Sequence, residues 1–166
     1  MTESSGTRSG ARSIGILVIL LAIALPFAAA GCGPQSPQAA VQDFFGAIQD
    51  QDWNAYLGSI LPDDARSMSQ EEQTTMKEDF EKTRTTFKDV KYETEYDKED
   101  KDKATVSVVS GSITAKDEAT GETQKTTVDE LKKTYGKVPT YKTENFKGRW
   151  YVNLDLQPTA TQTETP

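Results

Sequence analysis

Apolar residues are distributed along this chain in three regimes. Over residues 14–32 they run almost without interruption, as ILVILLAIALPFAAAGC in the main part. From Pro37 to Ile60 they recur at helical spacing, and beyond Val90 they alternate with polar residues. The helical regime starts at Ser36, a residue suited to capping, followed by Pro37, which fits a first helical position. Val41, Phe44, Phe45 and Ile48 then fall at i, i+3, i+4 and i+7, while Gln42, Asp43 and Gln49 face away. Asp52 predicts a second cap, with Trp53, Tyr56, Leu57 and Ile60 on one stripe until Leu61-Pro62 stops the helix. After a polar link over residues 62–66, Ser69-Gln70-Glu71-Glu72 matches a capping box. That box predicts a third, surface-lying helix with Met76, Phe80 and Phe87 along one side.

The alternating regime predicts strands. Val90, Tyr92, Thr94 and Tyr96 alternate with Lys91, Glu93 and Glu95, which places one face inside. A charged loop, DKEDKDK, covers residues 97–103, and a second strand covers residues 104–116 with Gly111 marking a bulge. Residues 117–122 read as a turn into a Thr-rich strand at 123–126. Thr127-Val128-Asp129-Glu130 is another capping box, opening a short helix with Leu131 and Tyr135 that Gly136 can end. The last hairpin pairs residues 141–146 with 149–156 across Lys147-Gly148. Residues 157–166 have almost nothing to bury and are expected to be disordered. Helices first and antiparallel strands afterwards predict an α+β fold, with N-terminal helices packed on a curved antiparallel sheet.

The leading segment changes what chemistry is open to this body. A polar stretch whose charges are Glu3, Arg8 and Arg12 precedes the apolar run, and small residues close it, the layout of a secretory signal peptide. A spanning helix is the alternative, since about 18 apolar residues approach the roughly 20 that cross a bilayer. In both readings Arg8 and Arg12 keep the N-terminal side in the cytoplasm, so the body lies outside the membrane. Ala29-Ala30-Gly31-Cys32 resembles the lipobox of bacterial lipoproteins, with Ala29 where that family more often has Leu. The resemblance implies cleavage after residue 31, and a lipid-anchored protein on the extracytoplasmic face of the cell membrane. Cys32 would carry a diacylglyceryl thioether and acyl chains such as palmitate. Residues 32–35 would then be the lipidated cysteine and a short linker, reaching about 10 to 17 Å when extended.

Without residues 1–31, 135 of the 166 residues remain, the size of one domain. Taking Arg8, Arg12 and Glu3 from the 19 basic and 26 acidic residues leaves 17 and 25, a net charge of −8. An acidic body disfavours nucleic acid as a partner. The chain has no histidine and a single cysteine, Cys32, which removes Ser-His, Cys-His and His-metal chemistry and any internal disulfide.

Ser36-Pro37-Gln38-Ala39-Ala40-Val41, Phe44-Phe45, Gln51-Asp52-Trp53 with Tyr56-Leu57, and Lys147-Gly148-Arg149-Trp150-Tyr151-Val152 resemble the nuclear transport factor 2-like superfamily. More narrowly they resemble its bacterial lipoprotein members of unknown function. The resemblance spans residues 36–156 and implies a cone whose mouth can hold a small apolar ligand. Phe45, Trp53, Tyr56, Tyr92 and Trp150 are the candidate pocket residues. Helical and strand spacing explains the same aromatics as core. Some enzymes of that superfamily use an acid or base pair in the cone, for which Asp79, Tyr56, Tyr92 and Tyr96 are available. The cluster Asp97, Glu99, Asp100 and Asp102 lacks the turn glycine and late bidentate Glu of a calcium loop, and lysines interleave it. No catalytic, cofactor or metal residue is therefore assigned. The expected function is a membrane-anchored, non-enzymatic domain that binds a small apolar molecule or an envelope protein. The alternatives are a cone-pocket isomerase or cyclase and an assembly subunit forming a homodimer through its sheet.

Overall fold

The structure, a computed structural model, describes residues 33–156. The expected leader, Cys32 and the expected disordered tail lie outside the described residues. Four helices come first: α1 (Pro37–Gln49), α2 (Trp53–Ser59), α3 (Pro62–Ser67) and α4 (Gln70–Lys82). They are followed by β1 (Thr83–Tyr96), β2 (Lys103–Asp117), β3 (Thr123–Thr127), α5 (Val128–Tyr135), β4 (Thr140–Phe146) and β5 (Arg149–Asn153). This is an α+β fold in which the helices pack on a curved antiparallel half-barrel, compatible with a cone.

The predicted caps form. Ser36 accepts from Ala39 N at 3.1 Å, and Asp52 accepts from Ala55 N at 2.9 Å. Both capping boxes close reciprocally, Ser69 with Glu72 and Thr127 with Glu130, and Gly136 ends α5 at φ 73°. Each cap contributes about 1 kcal/mol. Burial of Val41, Phe44 and Phe45 on α1 contributes roughly 5–9 kcal/mol on an area basis, so packing holds that helix more than its cap does.

Two expectations are corrected in the first half. The stretch after Pro62 is helical, because Pro62 opens a turn whose N-terminus Asp63 and Asp64 complement. The helix from Ser69 ends at Lys82 and does not continue to Phe87. Thr83, Thr85 and Thr86 are β-branched residues with a stronger preference for strand, and Phe87 lies in β1.

β2 is the central strand. β1 covers one edge along its whole length, while the other edge is divided: β4 pairs with Lys103 to Ser107 and β3 with Ser112 to Lys116. Where neither pairs, Val108 N donates to Pro139 O at 2.9 Å. The sheet runs β1-β2-β4-β5, with β3 beside β2 off that path. The register between β1 and β2 shifts between Lys88 and Lys91, opposite Gly111, and again before Tyr92. Gly111 sits at φ +121°, and a Cβ there would lie 2.9 Å from Lys88 O and Val90 Cα. Only glycine fits this bulge, and the bulge bends the sheet over the helices.

The closing hairpin turns through Lys147 and Gly148, both at positive φ, which suits the right-handed twist of its strands. β5 ends at Asn153, three residues short of the expected 156, because Asp64 captures Leu154 N at 2.7 Å. The edge of β5 is taken by the α2–α3 junction, where Leu61 N donates to Val152 O at 2.8 Å. The linker expected over residues 33–35 is already tied down: Trp150 N donates to Pro34 O at 3.1 Å, and Pro34 is buried.

Candidate functional site

The concave side of the half-barrel is occupied by rings. α1 contributes Phe44 and Phe45, α2 Trp53 and Tyr56, α4 Phe80, β1 Phe87 and Tyr92, and β4 Tyr141. Phe45 stacks on Phe87 at 4.1 Å between centroids and meets Tyr141 edge-on at 5.2 Å. Phe44 bridges to Tyr56 at 5.2 Å, and Tyr56 stacks on Trp53 at 5.3 Å. These separations are those of packed rings, each worth about 0.5–1.5 kcal/mol beyond burial.

Four of the five candidate pocket residues therefore join one continuous cluster. Tyr92 reaches it at 6.1 Å from Phe45. Trp150 does not: it packs with Ala40 and Ala104 in a separate cluster, with Tyr96 edge-on at 5.9 Å. Tyr141 was not among the candidates, although its place in phase with Thr143 on an alternating strand marks it as inward-facing.

The polar groups near the rings favour a structural role. Tyr56 Oη donates to Met76 Sδ at 3.8 Å. Burial pushes the phenols of Tyr56, Tyr92 and Tyr141 above their ordinary value, and the neighbouring Tyr92 adds to the rise at Tyr141. A phenol shifted upward is further from proton exchange at neutral pH, the opposite of what acid or base work needs. Asp79 is exposed on α4 and pairs with Lys82 at 3.5 Å, so it does not meet the tyrosines. The buried carboxylate among the described residues is Asp64, which is spent on Leu154 N.

The other face of the sheet is mainly polar, with Phe146 and Tyr151 at its β4–β5 end. Glu95, Thr105, Lys142 and Asn153 form one row across β1, β2, β4 and β5. They line a groove of about 740 Å³ that also takes in Asp97 and Glu144. Part of its charge is paired: Lys142 pairs with Asp155 and Lys103 with Asp100 of the adjoining loop at 3.2 Å, and Asn153 Nδ2 donates to Glu144 at 3.2 Å, while Glu95 makes no ion pair among the described residues. In the adjoining loop Asp97 Oδ1 accepts from Asp100 N at 2.9 Å and Glu99 N at 2.8 Å. Those bonds, with Lys103 and Lys101 nearby, hold its carboxyl below the usual range. The acidic run is thus a self-capped turn. Among the described residues, no three Asp, Glu, Cys or His side chains are grouped to hold a metal ion.

No protein-family model, no curated protein and no solved structure matches this chain. Among the described residues no helix is long and apolar enough to cross a membrane.

Proposed function

We propose that this chain is a lipid-anchored, extracytoplasmic lipoprotein of the nuclear transport factor 2-like type. Its body is a non-enzymatic binding domain that meets its partner on the outer sheet face. The observation that carries this reading is the concave side filled by Phe44, Phe45, Tyr56, Phe87 and Tyr141 at packing distance. A small apolar ligand has to displace those rings to enter, whereas the outer face is open.

The anchor rests on the residues 29–32 motif. An enzyme of the isomerase or cyclase type needs a carboxylate beside an inward phenol, and Asp79 lies on the outside of α4. Dimerisation through an apolar sheet face needs an apolar patch where Glu93, Glu95, Thr105, Ser107, Lys142 and Glu144 stand. Two measurements test the reading. Labelled palmitate is expected on the parent and absent from Cys32→Ser, which should leave the membrane fraction; equal retention of the two defeats the anchor. Native mass spectrometry of the full chain from its own host should show no apolar small molecule held inside, and finding one defeats the filled interior.

A further inference from the structure

We propose that the outer face of the β1–β2–β3 arm is a binding strip for a linear phosphate polyanion. Phe87 and Tyr92 face the core, so Arg84, Thr86, Lys88 and Lys91 face out. Register carries the same face across the arm. Arg84 aligns with Lys116 and Thr123, Thr86 with Thr114 and Lys125, Lys88 with Ser112 and Thr127, and Lys91 with Ser110. These four rows hold five cations and otherwise only Ser and Thr, and the bulge between Lys88 and Lys91 adds one exposed carboxylate, Asp89. All five cations are exposed. Arg84, Lys88 and Lys91 make no ion pair among the described residues, while Lys116 shares Glu118 at 3.5 Å. Lys125 lies close enough to Glu130 to act on its carboxyl.

The strip measures about 20 Å along β1 and about 10 Å across three strands. Lysine ammonium groups, one guanidinium and interleaved hydroxyls are the donor set for phosphate oxygens. A linear polymer fits better than a bilayer, because the next rows on this face carry Glu93 and Glu95, which a flat anionic surface would meet. The four rows contain no aromatic or large apolar side chain to enter a headgroup layer or stack on bases. The net charge of −8 does not prevent this: at physiological salt fields decay over about 8 Å, less than half the strip's length.

The inference rests on the outer face being the binding surface and adds the partner's chemistry. It is tested by titrating the full chain in detergent with long-chain inorganic polyphosphate at a series of salt concentrations. Five contacts at about 0.7 each predict a log–log slope near −3.5, so a fourfold rise in salt weakens binding about 100-fold. Combined Arg84→Gln, Lys88→Gln and Lys91→Gln should reduce the slope to about −1.4 and that loss to about sevenfold. Combined Lys98→Gln, Lys101→Gln and Lys147→Gln, which removes equal charge at the far end of the sheet, should leave the slope unchanged. The proposal is overturned if the parent ignores polyphosphate, if the control set loses as much as the strip set, or if phosphatidylglycerol mixed into the detergent micelles displaces polyphosphate from the parent. A parent that ignores polyphosphate yet still carries a protein partner by native mass spectrometry overturns this inference alone, leaving the lipoprotein reading in place.

Discussion

Replacing Gly111 by alanine tests the origin of the sheet's curvature. At φ +121° an L-residue is strained by about 1–3 kcal/mol. The new methyl would also meet Lys88 O and Val90 Cα at 2.9 Å and Val90 N at 3.1 Å. These are backbone atoms of the facing strand and cannot rotate aside, so the bulge must open, at a further cost of about 1–3 kcal/mol. The sum is about 2–6 kcal/mol. At roughly 3–5 °C per kcal/mol for a domain of this size, the midpoint of a circular-dichroism melt should fall by about 6–30 °C. Ser112→Ala, one residue on and facing outward, should move it by less than about 2 °C. A Gly111→Ala chain melting within about 3 °C of the parent would falsify the account, since the bulge would then not require glycine.

Two further perturbations probe the buried polar groups. Asp64→Ala leaves Leu154 N without its acceptor, and the urea midpoint should show a loss of about 1–3 kcal/mol, with Asp64→Asn retaining part of it; equal stability of Asp64→Ala and the parent contradicts this. Alkali should destabilise the fold through Tyr56, Tyr92 and Tyr141, whose folded pKa values lie above the unfolded 10.0. The unfolded chain gives up these protons first, so their contribution is complete below about pH 10 and is lost as pH rises through the folded values. Urea unfolding followed from about pH 9 to about pH 11 should show the decline, and a flat profile counts against burial of these phenols.

Local chemistry made much of this fold legible. Ser36-Pro37, Asp52, the two capping boxes and Lys147-Gly148 each satisfy backbone groups within a few residues, so their signals are contained in short windows. The end of α4 was harder to read, because Met76, Phe80 and Phe87 keep helical spacing across a boundary that Thr83 decides by its strand preference. Asp64 looked like a linker residue, since its partner Leu154 is ninety positions away. The aromatic cluster was legible as apolar stripes, but strand pairing determines that Tyr141 joins it and that Trp150 does not. The basic strip was invisible in composition. Its five cations are spread between positions 84 and 125 of an acidic chain and meet only through the register of three strands.

The divided edge of β2 sets an order on how this chain can assemble and come apart. The β1–β2 hairpin closes through the short turn at residues 97–102, so it needs only neighbouring sequence to start. β4 and β5 must wait until the chain has travelled out along β3 and returned through α5. In the finished molecule β3 is an edge strand that pairs with β2 alone, whereas β4, on the Lys103–Ser107 half of β2, is itself covered by β5, and this half lies over α1. Transient opening therefore starts at the tip of the arm, and the amides beneath α1 are the last to exchange with solvent.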